Sequence, residues 1–163
     1  MTLERILSTN SSYRNLALRL VLALVIFPHG AQKLLGWFGG YGYTATMGYF
    51  TETAHVPYAL GALVVLAESV GALALAAGFF TRIAAAGIGA SMLGAVAIVH
   101  AKSGWFMNWF GTLPAGAEGV ELFVPVVALA ALLVVEGAGR ASVDAHLAAR
   151  LRSPSLAQEV ATP

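Results

Sequence analysis

Three side chains in one short stretch could do chemistry together. They are His29, Gln32 and Lys33, within Ile26-Phe27-Pro28-His29-Gly30-Ala31-Gln32-Lys33. Their spacing puts them on one face of a helix. An imidazole, an amide and an ammonium can donate hydrogen bonds, and the imidazole can exchange a proton near neutral pH. They close an apolar segment that begins near Leu16. Ionisable groups are expensive in such surroundings and turn toward partners or water. The expectation is a polar site enclosed by membrane helices.

The composition supports that setting. The chain is 58% hydrophobic and 10% charged, with a mean hydropathy of +0.77. Ordinary soluble domains carry about 25% charged residues. A membrane span needs about 20 mostly apolar residues, and four segments qualify: about 16–35, 58–80, 83–100 and 120–137. The predicted class is an all-α, four-transmembrane-helix bundle. A polar segment, 1–15, precedes the membrane domain of 16–139. That first segment does not read as a cleaved signal peptide, so span one is expected to be retained. In 140–163, Ser142 is placed to cap a short amphipathic helix to about Leu151, and 153–163 reads as a disordered tail.

The connections differ in kind. Spans two and three are separated only by Thr81-Arg82, an antiparallel hairpin. The other two, 36–57 and 101–119, are rich in Gly, Trp, Tyr and Phe, which suits a membrane interface. Arg5, Arg14, Arg19, Arg82, Arg140, Arg150 and Arg152 lie on one side, against Lys33 and Lys102 on the other. Charge bias therefore puts both termini and the short connection in the cytoplasm and the aromatic connections outside. The near-neutral charge, without a basic run, argues against a nucleic-acid partner. The absence of cysteine excludes disulfides, thiol relays and cysteine-bound iron–sulfur clusters in this chain.

With that topology, His29, Gln32, Lys33, Glu68, His100 and Glu121 come from all four spans and fall in the outer half. They are expected to converge on one cavity. Lys33 is the natural partner of Glu68, because a carboxylate at mid-membrane needs a cation or a proton. That pair reads either as a structural clasp or as part of a binding site. Two histidines and two carboxylates also suit zinc or non-haem iron, but no His-x-x-x-His or Glu-x-x-His joins them, and no metal is expected. Pro28 and Pro125 would free the carbonyls of Leu24 and Glu121 and kink their helices beside the cavity. Arg19, Arg82 and Glu136, near Arg140 and Asp144, read as membrane-edge anchors and surface ion pairs. Ala86, Ala90 and Gly94, with Ala67 and Gly71, form small-residue stripes that suit close helix packing. A faint echo links His29…Lys33…Gly36-Trp37-Phe38 to His100…Lys102…Gly104-Trp105-Phe106, as duplication or chance would give.

Arg19, Gly30…Lys33-Leu34, Glu68 with Gly71, Gly78-Phe79-Phe80-Thr81-Arg82, Glu121 and Gly137-x-Gly139-x-x-Ser142-x-Asp144 follow one another across about residues 13–144. In that order they resemble the DoxX family of small four-helix membrane proteins. Ala138 departs from the family's usual proline between the glycines, which predicts a looser end of span four. The resemblance implies a link to membrane oxidoreductase systems, including a relative that is part of a thiosulfate:quinone oxidoreductase. A quinone suits the inventory: His29, Gln32 or Lys33 would donate to carbonyls, and Glu68 or Glu121 would deliver protons. The expected function is a subunit that binds a quinone or another lipophilic substrate. A scaffold that recruits soluble redox enzymes and a small-molecule carrier are the alternatives. Membrane lipids, a redox partner protein and a second copy of the chain are the expected partners.

Overall fold

Ser12 starts the first long helix. Its hydroxyl accepts from the backbone N–H groups of Arg14 (3.1 Å) and Asn15 (3.4 Å), satisfying donors that every helix start leaves open. From this cap, α2 runs Tyr13–Leu35 and stops where Gly36 takes a left-handed φ of 74°. The helix thus begins inside the polar segment, ahead of its apolar stretch. The computed structural model describes residues 2–114 and 117–152. The expected tail of 153–163 lies outside them.

A short α1, Leu3–Leu7, precedes α2. The connection expected over 36–57 is largely helical. It holds a 3-10 turn at Trp37–Gly39, α3 at Gly42–Gly48 and a π-turn at Tyr49–Thr53. Thr46 and Met47 of α3 are buried. Tyr43 shares a 2.9 Å hydrogen bond with Tyr58, which lifts the Tyr43 phenol above its ordinary pKa. Then come α4 (Tyr58–Ala77), α5 (Thr81–Ala95, continuing as a π-turn through Val96–His100), α6 (Phe123–Glu136) and α7 (Val143–Arg152). There is no strand among the described residues.

Three of these helices are long and apolar enough to cross a membrane: α2, α4, and α5 with its π-turn. The fourth, α6, is apolar but has only 14 residues. That is about 21 Å of helix, short of a hydrocarbon core of about 30 Å. The reason is local. The N–H groups of Val120 and Glu121 bond to the carbonyls of Gly104 (3.1 Å) and Trp105 (2.9 Å) instead of opening a helix. Pro125 consequently falls in the first turn of α6, where its missing N–H costs nothing, and it makes no mid-helix kink. Of the two prolines expected to kink a helix, Pro28 alone stands inside one.

The end of the bundle that carries α1 and α7 is tied by buried polar groups. Arg19 is not an edge anchor. It is 1% exposed, and its guanidinium donates to five carbonyls: Ala138 (3.1 Å), Leu75 (2.9 Å), Ala76, Arg140 (3.4 Å) and Ala141 (2.6 Å). It thereby closes the C-terminus of α4 and pins the strap between α6 and α7. Ala138 is fully buried in that strap. Gly137 and Gly139 both have positive φ (83° and 76°) and pack on the chain at Ser8–Thr9 and Ser12–Leu16, where side chains would collide. Arg82 donates to the last carbonyls of α6, Val134 and Val135 (2.6 Å), and to Ser8 (3.1 Å). Asp144, also 1% exposed, accepts from Phe80 N–H (2.7 Å) and Thr81 N–H (2.9 Å) and so caps α5 from α7. The α4–α5 turn is therefore Gly78–Phe80, with Thr81 already helical. Ser142 caps α7 through Ala145 N–H at 3.2 Å. Glu136 makes a more exposed ion pair, with Arg14.

Above this polar layer lies the apolar core: Leu22 and Ile26 of α2, Leu75 of α4, Ile88 of α5 and Leu133 of α6. Helices approach most closely where α2 crosses α4. A Cβ on Gly30 would overlap the backbone of Glu68 and Ser69. The small-residue stripe on α5 does not make such a contact: Ala86 and Ala90 are exposed, and Gly94 has open space beside it.

Two predictions follow from this packing. Gly30→Ala is expected to cost about 1–3 kcal/mol through overpacking, read as a lower unfolding midpoint in detergent, while Gly94→Ala leaves the midpoint unchanged or slightly raised. Arg19→Lys cannot serve five carbonyls and is expected to cost on the order of 3 kcal/mol. Hydrogen exchange should then rise first at residues 138–141.

Candidate functional site

The Gly30 contact fixes the depth of α2 against α4. Lys33 follows about one turn later on nearly the same face. It therefore meets the side chain of Glu68, and the two form an ion pair. The other carboxylate oxygen of Glu68 accepts from the Ser91 hydroxyl of α5 at 2.6 Å. Three helices are joined through one carboxylate. Glu68 is 2% exposed, whereas the Lys33 side chain keeps 28% of its surface open. An ammonium carries three donors, and among the described residues Lys33 uses one of them.

That open side of Lys33 faces a cavity of about 1040 Å³. His29, Lys33, Glu68 and His100 all line it, as does Ser91. The walls are otherwise almost wholly apolar and come from α2, α4, α5 and α6. His29 keeps an exposed ring on the cavity side, and among the described residues its nitrogens make no hydrogen bond. His100 closes the π-turn at the end of α5. Its Nδ1 lies 2.8 Å from the Glu118 carbonyl, and its ring stacks obliquely on Phe123 at 4.7 Å. The connection after α5 thus folds over the cavity, with Met107 and Glu118 also on its lining.

Gln32 and Glu121 do not line the cavity. Gln32 lies on the other side of the His29–Lys33 face, and its amide donates to the Phe38 carbonyl at 3.2 Å. Glu121 precedes α6 instead of opening it. Its carboxylate accepts from Met107 N–H (3.1 Å) and from the Trp109 indole (3.2 Å), which ties the aromatic connection down. Among the described residues no three His, Asp or Glu side chains come together as a metal site would require. Ser91 was not among the residues singled out from the sequence. Its signal was the lone hydroxyl in the middle of an otherwise apolar span.

Chemically, the site combines an ammonium and an imidazole that keep unused capacity among the described residues with a buried carboxylate already held by two donors. It can bind a polar head group by hydrogen bonds and exchange a proton with it, within an apolar chamber.

The DoxX family model matches residues 15–101, more than half of the 163-residue chain. The matched stretch includes Arg19, Gly30, Lys33, Glu68, Ser91 and His100; Glu121 and the Gly137–Asp144 motif lie beyond it. No curated protein and no solved structure matches the chain.

The Lys33–Glu68 pair yields a prediction about stability. Lys33→Met leaves a buried carboxylate without its cation and is expected to cost about 3 kcal/mol, the low end for a buried pair because Lys33 is partly open. The double change Lys33→Met with Glu68→Gln should recover most of that loss. A double-mutant cycle on unfolding midpoints in detergent measures the coupling.

Proposed function

We propose that this chain, which belongs to the DoxX family, is an integral membrane subunit that binds a quinone or a similar lipophilic carbonyl compound at Lys33 and Glu68. The observation that carries the reading is the cavity itself: a large, mostly apolar space with the Lys33–Glu68 ion pair on its wall. An apolar body with one polar head is the ligand shape that such a lining fits. Lys33 and His29 would donate to head-group oxygens. Glu68, steadied by Ser91, would exchange protons with the head. Gln32 and Glu121 are left to hold the aromatic connections. Electrons would come from a partner protein, since the chain has no cysteine to carry a thiol relay.

The same proposal includes placement. The arginine-rich end with both termini would face the cytoplasm, in a bacterial inner membrane. The bilayer would supply both the ligand and the surrounding lipid. A second copy of the chain would pack on α5 at Ala86, which is exposed and outside the cavity lining.

A second reading, a scaffold for soluble redox enzymes, has an observation of its own. Asp144 fixes α7 rigidly to the α4–α5 turn, and α7 presents His146, Arg150 and Arg152 at the surface. A docking helix held in this way would suit a partner on that side.

Titration with a short-chain benzoquinone distinguishes the two. Ligand binding predicts saturable uptake, weakened about 10–100-fold in Lys33→Ala, as the loss of a charge-assisted hydrogen bond implies. A reading confined to scaffolding predicts no saturable uptake in either protein.

A further inference from the structure

We infer that the ligand of this cavity carries a long hydrocarbon tail, seated in the furrow between α4 and α5 with its head at Lys33 and Glu68. The inference rests on the binding reading above and adds the class of molecule. The cavity does not end at the charged level. It continues along both helices toward the α4–α5 turn, past Gly71 and Ala74 on one side and Gly87 and Ala84 on the other. Every lining residue from Val70 to Ala90 is apolar, so no second polar group of a ligand would find a partner there.

The furrow has a floor, walls and an end. Its floor is low because Gly87 lies against Ala67: a Cβ added to Gly87 would sit 3.4 Å from the Ala67 methyl. Val70 and Ile83 form the walls, 50% and 51% exposed, which leaves the furrow open sideways. A chain could enter laterally without threading through the bundle. Phe79 and Phe80 close the far end, edge to face at 4.7 Å, with Phe80 N–H held by Asp144 at 2.7 Å. From Glu68 to that end, α4 offers about 15 Å of length at 1.5 Å per residue. A bulky or tailless ligand would leave this space without a function in binding. A single alkyl or isoprenoid chain fits it.

Lipid tails are as apolar as the furrow, so a chain gains little affinity by leaving the bilayer. What the furrow provides is position, and position is what the test reads. The full chain in phospholipid nanodiscs is irradiated with a benzoquinone whose alkyl tail matches the furrow and ends in a diazirine. The expected label concentrates on residues 79–87, is competed by excess of the same quinone without the diazirine, and falls several-fold in Ile83→Phe. Ile83 is exposed, so the larger side chain fills the furrow without disturbing helix packing; Ala74→Leu, on the facing helix and away from Glu68, serves as a second blocking variant. Binding of tailless benzoquinone should be the same in both variants and the wild type. Label spread evenly onto lipid-facing positions such as Leu24 and Val135, 75% and 73% exposed, would sink the tail assignment even if tailless benzoquinone still binds through Lys33. If tailless benzoquinone does not bind saturably either, the binding reading fails and takes this inference with it.

Discussion

Gly30 against the backbone of Glu68 is the contact on which the rest of the site depends. Only a residue without a side chain lets α2 and α4 touch at that level. The touch sets the depth of both helices, and depth decides which side chains meet. Lys33 then reaches Glu68, and Ser91 reaches the same carboxylate from α5. A wider crossing would pull the ammonium away from the carboxylate and leave a charge buried among apolar helices, a cost of several kcal/mol. The packing contact and the ion pair therefore stabilise each other: each makes the other's geometry favourable.

The two ends of the bundle divide the work. At the end with α1 and α7, polar side chains satisfy backbone groups at helix termini: Arg19 closes α4, Arg82 closes α6 and Asp144 opens α5. Where such groups are buried, as at Leu75 and Thr81, each carbonyl or N–H needs a partner from the chain. The core of Leu22, Ile26, Leu75, Ile88 and Leu133 sits directly above. The cavity runs beside that core, between α4 and α5. The tied end and the Gly30 crossing together hold the charged groups on its wall in fixed places.

Much of the fold was legible from hydropathy, because long apolar runs have few alternatives to membrane helices. The Lys33–Glu68 pairing was legible for a related reason: a carboxylate in mid-span has to find a cation or a proton. What sequence could not give was rotation and return. Depth alone grouped Gln32 and Glu121 with the cavity residues. The Gln32 amide is taken by the carbonyl of Phe38, and Glu121 belongs to a connection that pairs with Gly104 and Trp105 before α6 begins. Arg19 looked like an edge residue because its partners, at Leu75–Ala76 and at Ala138, Arg140 and Ala141, lie more than fifty residues away and carry no local signal. Ser91 and Gly30 are small residues in a chain full of small residues, and only the crossing of helices gives them meaning.

The central claim is that Lys33 and Glu68 hold a lipophilic ligand rather than serving only as a clasp between helices. Extraction of the chain with its native lipids, followed by mass spectrometry of what copurifies, tests this most directly. The account predicts a quinone or a comparable tailed carbonyl compound enriched over the bulk membrane extract and approaching one per chain. It also predicts that this enrichment is lost in the double change Lys33→Met with Glu68→Gln, which keeps the fold but removes the charged site. A wild-type extract with the composition of the surrounding membrane, or an enrichment that the double change leaves untouched, would contradict it.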